Sequence, residues 1–429
     1  TDFINFVRAT GIEGQWIVNH NGTAQEAAAL VAFFNAAITD TTVIGLDNRG
    51  KDWLTAGHWA QLRTTNGNPE PLPIRYWEIG NEIYGGKGGL HPECAAFGWE
   101  DVWTCDGTEY VQGASKDGIT YEGYLAFRTA MKMVDPSIEV GAVGVPFANS
   151  WTNWGNEVIV ASGSHLDFYA IHQYAYFEPP ANYAEMLAEP LSSWPSIRQD
   201  FDQALSANGA SLDTPLAVTE YNLFSVQDQD NGRLMTQAAN ALFLADTIGQ
   251  MMKHNVQIAN QWDLANGLAS NGTDYGLMHA DTFARAPQYY VFPLWANFGQ
   301  TMLHTTSTLS ASTSLSIYAG RIDETTRSLL AINKTGHPIT ATITFSSNPT
   351  ITAIATNIVQ ATALGETTVT YNELSNPAND LSDATPAMIF PNTHSIAYAF
   401  EPYAITLLRF TVSSKQIDLL PIYIPLILK

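Results

Sequence analysis

Two short stretches of the sequence place carboxylates where they could act on a substrate. The first, RYWEIGNEIYGG at residues 75–86, carries Glu78, Asn81 and Glu82 inside an apolar run. The second, VTEYN at residues 218–222, carries Glu220 inside another. Burying such groups costs free energy unless they are paired or used. Two carboxylates at one cleft suit cleavage of a glycosidic bond, in which one is a protonated acid and the other an ionised nucleophile or base.

The sequence neighbours of the two acids predict different protonation states. Glu82 follows an apolar strand beside Trp77, which favours its protonated form. Glu220 adjoins Tyr221 and Asn222, and hydrogen bonds from such groups favour an ionised carboxylate. From the residues alone, structural carboxylates and other carboxylate chemistry remain open alternatives to glycosidic cleavage.

Glu78 is predicted to have a different role from Glu82. If residues 74–82 form one strand, Glu78, Gly80 and Glu82 share a face. Four residues of strand then place Glu78 roughly 13 Å below Glu82, at about 3.3 Å per residue. Glu78 is therefore expected to be a buried, paired structural acid, too far from Glu82 to act on the same bond.

The elements that must position these acids alternate between strands and helices as far as about residue 305. Apolar strands separated by helices indicate a parallel sheet covered on both faces, either a (β/α)8 barrel or an open doubly wound sheet. No Gly-rich phosphate loop follows a strand, which weakens the second. The strands are predicted at 15–20, 74–82, 138–145, 166–174, 215–224 and 258–266, and the helices at 23–37, 121–134, 181–206, 232–254 and 286–303.

The sequence pattern changes near residue 306, where Thr, Ser, Ile and Val alternate between closely spaced turns. This pattern predicts an antiparallel β-sandwich. The predicted domains are a barrel over 1–305, a sandwich over 306–414 and an apolar tail over 415–429. The tail is too short, and too interrupted by proline, for a transmembrane helix.

Polar side chains cluster where the predicted strands end. In a parallel barrel, functional residues come from the carboxyl ends of the strands, so five polar strand ends predict a cleft. The residues at these ends are Asn19 and His20, Asn81 and Glu82, His172 and Tyr174, Glu220, and Gln261, Trp262 and Asp263.

Composition restricts the partners. The 429 residues carry 41 acids and 19 bases, a formal charge of −22, with 45% apolar residues. This charge disfavours a nucleic-acid backbone or an anionic membrane surface and fits a neutral carbohydrate better. Cys94 and Cys105, with ten residues between them, are compatible with a disulfide and hence with a secreted protein, although two free thiols remain an alternative. Oligomeric state cannot be inferred.

The motifs YWEIGNE, TEYN and HQY, with a Trp in the closing strand, resemble those of the clan A (β/α)8 retaining glycosidases. LRTTNGNPEPLPIRYWEIGNEIYGG and AMKMVDPSIEVGAVG look most like the α-L-arabinofuranosidase branch, and the β-xylosidase branch is next. The resemblance implies a retaining two-carboxylate hydrolase that removes α-L-arabinofuranosyl residues from plant-type polysaccharides or oligosaccharides.

The resemblance also implies roles for single residues. Glu82 would be the acid/base and Glu220 the nucleophile. Asn81 would hydrogen-bond the sugar 2-hydroxyl. The remaining residues would line the sugar site, with His172 and Tyr174 positioning Glu220, Trp262 forming part of a sugar platform and Gln261 a weaker candidate for the same wall. No metal or organic cofactor is expected.

One departure from the family keeps alternatives open. If residues 15–20 correspond to the third strand of the family, the first two strands would precede Thr1, and the barrel would lack them. A β-xylosidase, an endo-glycanase of the same clan, or a non-catalytic carbohydrate-binding protein on a degenerate barrel are the alternative functions.

Overall fold

The structure is a computed structural model that describes residues 2–85, 106–116, 118–413 and 422–424. Cys94 and Cys105 lie outside these residues, and so does the predicted tail apart from Ile422–Ile424. The chain divides into two compact units, residues 1–172 with 197–219 and residues 173–196 with 220–429. The predicted domain boundaries therefore stay a prediction.

The α-helices that the structure describes are α1 Asp2–Thr10, α2 Ala24–Asn35, α3 Ala56–Thr65, α4 Gly107–Gln112, α5 Tyr124–Val134, α6 Ser150–Ser162, α7 Tyr183–Ala188, α8 Pro190–Ala207, α9 Ala238–Lys253 and α10 Val291–Ala296. Short 3-10 helices lie at Ile83–Gly85, Gly163–His165, Gln227–Gln229, Leu234–Thr236 and Pro287–Tyr290.

The strands are β1 Gln15–Val18, β2 Tyr76–Ile79, β3 Gly113–Lys116, β4 Ile119–Glu122, β5 Glu139–Val143, β6 Phe168–Tyr176, β7 Leu216–Phe224, β8 Val256–Gln261, β9 Ala265–Asn266, β10 Met278–His279, β11 Thr301–Leu303, β12 Thr305–Ser307, β13 Leu315–Arg321, β14 Thr326–Asn333, β15 Ile339–Phe345, β16 Ile351–Gln360, β17 Thr370–Tyr371, β18 Ala387–Ile389, β19 Ser395–Phe400, β20 Ala404–Val412 and β21 Ile422–Ile424.

Six strands form the sheet that carries the candidate site, in the order β1-β2-β5-β6-β7-β8. The pairings of β1 with β2, β2 with β5 and β5 with β6 are parallel, with Gln15 opposite Tyr76 and Tyr76 opposite Glu139. Every predicted strand of this region is present, and helices separate its members. Six is two fewer than a complete (β/α)8 barrel, counted over the described residues.

The first unit shows why the sequence forms a helix after β1. Thr23 caps α2, because its hydroxyl accepts a hydrogen bond from the backbone N–H of Glu26 at 3.2 Å. This is the contact that the Thr-x-x-Glu pattern predicts. The alanine-rich helix that follows buries most of its small side chains in the core of this unit. The local cap and the apolar face therefore agree, and the predicted helix is confirmed.

The second unit contains the antiparallel strands. One sheet runs β11-β13-β14-β20-β16-β17 with β18 beside β16, and the other runs β12-β21-β15-β19. In β15, burial alternates along the strand, as its Ile-Thr-Ala-Thr-Ile pattern predicts. Ile343 and Phe400 from one sheet pack in a single buried cluster with Ile354, Leu408 and Phe410 from the other. The predicted sandwich is confirmed by this shared core.

Two helix boundaries were predicted wrongly. The helix predicted from residue 232 begins at Ala238, because a 3-10 turn comes first and the carboxylate of Asp230 accepts hydrogen bonds from the N–H groups of Leu234 and Met235. The helix predicted over 286–303 is confined to Val291–Ala296. Gly299, at φ 101°, turns the chain into β11.

A buried ion pair in the second unit joins α9 to the sandwich. The ammonium Nζ of Lys334 lies 2.5 Å from Oδ2 of Asp246, and both side chains are almost wholly buried. Asp246 also accepts hydrogen bonds from the hydroxyls of Ser316 and Tyr318, and Lys334 donates to the carbonyl of Leu187 at 2.7 Å. Each charge therefore depends on the other for compensation.

Replacing Lys334 by methionine is expected to lower the free energy of unfolding by about 3–5 kcal/mol, because Asp246 would keep an unpaired buried charge. Urea denaturation followed by circular dichroism measures the change. The control is Asp202→Asn, which breaks the more exposed pair between Arg198 and Asp202. The control should shift the free energy by less than about 0.5 kcal/mol. Equal shifts in the two variants would contradict the prediction.

Candidate active site

The chain leaves β2 sooner than predicted. The strand ends at Ile79, Gly80 has φ 87° and Glu82 has φ 49°, so residues 80–82 do not continue the strand. The prediction that Glu78, Gly80 and Glu82 share one strand face is therefore wrong. A glutamate in the left-handed region costs about 1–3 kcal/mol, and residues strained in this way cluster at functional sites. Glu82 is thus presented by a turn beyond the strand end.

Two side chains hold the carboxylate of Glu82. Its Oε1 lies 2.9 Å from Nδ1 of His172 and accepts a hydrogen bond from the hydroxyl of Tyr84 at 3.1 Å. The His172 and Glu82 side chains are 5% and 14% exposed. The motif resemblance implied that His172 positions Glu220, a role that stays a prediction, and Tyr84 was not predicted. The available signal was its position, two residues after Glu82 in the same motif.

Glu78 lies in the core of the first unit. Its residue is 1% exposed, and Oε2 lies 3.5 Å from the amide nitrogen of Gln15 on the neighbouring strand β1. The prediction of a buried, paired acid is confirmed. Glu78 therefore serves as the internal comparison for the acids proposed to react.

Glu220 lies within β7, which is buried along its whole length. Its Oε2 accepts a hydrogen bond from the hydroxyl of Tyr174 at 2.7 Å, and the residue is 8% exposed. A short hydrogen bond from a phenol to a carboxylate stabilises the ionised form of the acid. The predicted contact between Tyr174 and Glu220 is present, while their catalytic roles stay predictions.

Asn222 does not bind Glu220, contrary to the prediction. Its amide nitrogen donates to the carbonyl oxygens of Trp262 at 2.5 Å and Tyr275 at 3.2 Å. Gln261 donates to the same two carbonyls, at 2.9 Å and 3.3 Å. These amides hold the backbone at the end of β8. Gln261 consequently supports the backbone segment that carries Trp262.

Trp262 and Asn81 keep accessible surface. The Trp262 residue, joined to Asp263 by a cis peptide bond, is 42% exposed, whereas most tryptophans of this chain that the structure describes are more buried. A flat exposed ring is the expected form of a sugar platform. Asn81 is half-buried, next to Glu82.

His20, at the end of β1, is a core residue and not part of a cleft. Its ring is buried and contacts the rings of Tyr110 and Phe127, with centroids 5.1 Å away in each case. Burial lowers the pKa of His20 to about 3, so the imidazole is neutral at physiological pH. The polar residue at this strand end was therefore a misleading signal.

Two titratable side chains near Trp262, those of Asp263 and Tyr275, have raised pKa values. Burial, with the charge of Asp274 as the second cause, raises the pKa of Asp263 to about 6. Burial also raises the pKa of Tyr275 to about 12, and the negative charges of Asp228, Glu220 and Asp263 add to this effect. The sequence marked Asp263 only as a polar strand end, and nothing in the sequence indicates Tyr275.

Asp263→Asn is expected to stabilise the protein near pH 8 and to have little effect near pH 4. Since the folded-state pKa of Asp263 is raised, its stabilising contribution is complete below the unfolded-state pKa and is lost as pH rises through about 6. Asp263 is partly exposed, so solvent screening reduces the expected gain to about 1 kcal/mol. Urea denaturation across this pH range measures it. A gain that does not depend on pH would contradict the assignment.

The known proteins that are similar to this chain agree with the resemblance that its motifs indicate. No family model matches the chain. The chain is 22% identical over 276 residues to a probable α-L-arabinofuranosidase C from Aspergillus fumigatus, covering 61% of this chain and 46% of that protein. It is 27% identical over 179 residues to an intracellular exo-α-(1→5)-L-arabinofuranosidase from Bifidobacterium longum, covering 39% of this chain and 27% of that protein. The resemblance to the α-L-arabinofuranosidases is confirmed.

Solved structures show the same fold. The α-L-arabinofuranosidase from Thermotoga maritima has a TM-score of 0.65 at 18% identity, over 95% of this chain and 77% of that chain. A family 51 α-L-arabinofuranosidase from Bifidobacterium longum has a TM-score of 0.64 at 20% identity, over 95% and 78%. The (β/α) barrel with a following β-sandwich is therefore the fold of this chain. The chain spans about half the length of the first curated relatives it matches.

Proposed function

We propose that this protein is a retaining, exo-acting glycoside hydrolase that removes α-L-arabinofuranosyl residues from plant-type polysaccharides or oligosaccharides. The proposal rests on one observation: two side chains of strand β6 each contact a different carboxylate. His172 of β6 contacts Glu82, and Tyr174 of β6 contacts Glu220.

The spacing on β6 supports a shared substrate. His172 and Tyr174 are separated by one residue of a continuous strand, so their side chains leave the same face roughly 6.6 Å apart. Each carboxylate lies within hydrogen-bond distance of one of these side chains. We propose on this basis that Glu82 and Glu220 act on one anomeric carbon.

The proposed reaction has two steps. Glu220 attacks the anomeric carbon while Glu82 protonates the departing oxygen, which forms a covalent glycosyl–enzyme intermediate. Glu82 then takes a proton from water, the water attacks the same carbon, and Glu220 leaves as a carboxylate. The Tyr174 hydroxyl stabilises the ionised nucleophile before attack and after release.

The other site residues bind and orient the sugar in this proposal. The exposed ring of Trp262 faces the apolar side of the sugar, and Gln261 holds the backbone behind that ring. Asn81 donates a hydrogen bond to the 2-hydroxyl. We propose that His172 orients the acid/base through its contact with Glu82, beside the role toward Glu220 that the motif implies.

Substrate and location are part of the proposal. The relative from Bifidobacterium longum is named as an exo-acting enzyme, which supports removal of terminal residues, and also as intracellular. The acidic composition favours a secreted protein with a saccharide partner and disfavours nucleic acid. No helix within the described part of the chain is long and apolar enough to cross a membrane.

A panel of nitrophenyl glycosides tests the proposed function. We expect kcat/KM for the α-L-arabinofuranoside to exceed that for the β-D-xyloside by about 100-fold, since the pocket must discriminate between ring shapes. The first sugar product, followed by NMR, should keep its anomeric configuration. Preference for the xyloside would support the β-xylosidase alternative. Sugar binding without turnover by folded protein would support the binding-protein alternative.

A further inference from the structure

A cavity in the second unit is built from three loops. Its volume is about 310 Å³, and it is lined by Arg233, Thr236, Gln237, Leu268, Gly272 and Thr367. The first three follow β7, the next two follow β8, and Thr367 lies between β16 and β17 of the sandwich. The volume is at the low end for small-molecule sites and suits one sugar unit.

Arg233 is the charged group of this cavity. Its side chain has no hydrogen-bond or carboxylate partner within residues 2–85, 106–116, 118–413 and 422–424. Arg233 is exposed, so its guanidinium is open to a ligand that arrives from solvent. Gly272 leaves room for it, because a Cβ there would lie 3.2 Å from Cδ of Arg233.

The walls around Arg233 are held in place by the fold. The amide oxygen of Gln237 accepts from the hydroxyl of Tyr183 at 2.7 Å, and its amide nitrogen donates to the carbonyl of Gly232 at 2.9 Å. The loop before Thr367 is tied to the start of α9, since the carbonyl of Glu366 accepts from the N–H of Ala238 at 2.7 Å. A preformed cavity loses little conformational entropy when a ligand binds.

We propose that this cavity binds the carboxylate of a uronic acid unit in an acidic polysaccharide. A guanidinium presents five donors in one plane and pairs with a carboxylate through two parallel hydrogen bonds. Leu268, which is 58% exposed, offers an apolar surface to the sugar ring, and Thr367 offers a hydroxyl. The hydroxyl of Thr236 already donates to the carbonyl of Arg233 at 2.9 Å. A single carboxylate fits a protein of charge −22 better than a doubly charged phosphate does.

This inference rests on the proposed function and deepens it. The loops of the cavity follow β7 and β8, the strands that carry Glu220 and lead to Trp262. A uronic acid bound there would belong to the polysaccharide backbone that carries the arabinofuranosyl group. The substrate class would then be acidic polysaccharides with arabinofuranosyl side groups.

Binding of two matched probes tests the inference without turnover. Methyl galacturonoside and methyl galactoside differ only in the carboxylate, and both can be titrated by ligand-observed NMR at about 0.15 M salt, where remote charges are screened. We expect the uronoside to bind about tenfold more tightly. Arg233→Gln should abolish this difference, and Arg233→Lys should keep part of it.

Arg321→Gln is the control, because it removes the same charge from the same unit at a residue that does not line the cavity. It should leave the tenfold difference intact. Equal binding of the two probes, a difference that survives in Arg233→Gln, or displacement by inorganic phosphate at lower concentration than by the uronoside would each overturn the inference. Failure of the nitrophenyl panel would count against the hydrolase alone, because these titrations require no hydrolysis.

Discussion

Glu220→Gly is expected to reduce arabinofuranoside hydrolysis by roughly 10⁴- to 10⁶-fold, the scale seen when a hydrolase loses its covalent nucleophile. The reason is that glycine leaves no carboxylate at this position to form the glycosyl–enzyme bond. The measurement is kcat on the nitrophenyl arabinofuranoside, with circular dichroism to show that the protein is folded. Activity within about tenfold of the parent protein would contradict the nucleophile assignment.

Added azide separates a missing nucleophile from a damaged site. In Glu220→Gly the small anion can enter the space left by the carboxylate and attack the anomeric carbon from that face. We expect partial recovery of nitrophenol release and an arabinofuranosyl azide of inverted configuration. Tyr174→Phe is the matched variant, because it removes the hydroxyl that donates to Glu220. Loss of this hydroxyl should lower activity by about tenfold, and the variant should not respond to azide because it keeps the Glu220 carboxylate.

Glu82→Gln is expected to lower kcat for a natural arabinofuranosyl linkage by about 10²- to 10⁴-fold, the contribution of general acid–base catalysis. The amide keeps the size of the side chain but cannot donate a proton to the departing oxygen. The measurement is release of arabinose from an arabino-oligosaccharide. A change of less than about threefold would contradict the assignment of Glu82 as the acid.

The leaving group provides the diagnostic for Glu82. A dinitrophenolate departs without protonation, so its release in the first step should be far less affected by Glu82→Gln than cleavage of a sugar–sugar bond. Glu78→Gln is the control within the same motif. Since Glu78 is buried beside Gln15, this variant should lower the free energy of unfolding and leave kcat of the folded protein unchanged. Equal losses of activity in both variants would refute the division of roles.

The fold was predictable because its patterns are local. Strand-length apolar runs and an N-cap before Ala24 depend on residues close in sequence, and these elements are present. The start of α9 was predicted wrongly in part because groups distant in sequence help to set it. The N-terminus of α9 is bound by carbonyls of Leu364 and Glu366, more than a hundred residues away. No window around Ala238 contains that information.

Part of the candidate site was predictable for a similar reason. Glu82 and Glu220 were identified because carboxylates in apolar runs require an explanation, and Glu78 was separated from them as a structural acid. The hydrogen-bond partners of the site residues were less predictable. Asn222 lies only two residues after Glu220 in the sequence, yet its side-chain amide donates to carbonyls on another segment of the chain. Sequence proximity does not specify the direction of a side chain.

The sequence by itself determined the residue types, their order along alternating strands and helices, and hence the resemblance to retaining glycosidases. Only the tertiary structure decided which side chains hold which carboxylate: Tyr84 and His172 for Glu82, and Tyr174 for Glu220. It also decided that Arg233 lines a cavity. The physical reason is that hydrogen bonds and ion pairs form over about 3 Å in space, whereas sequence patterns report only on neighbours along the chain.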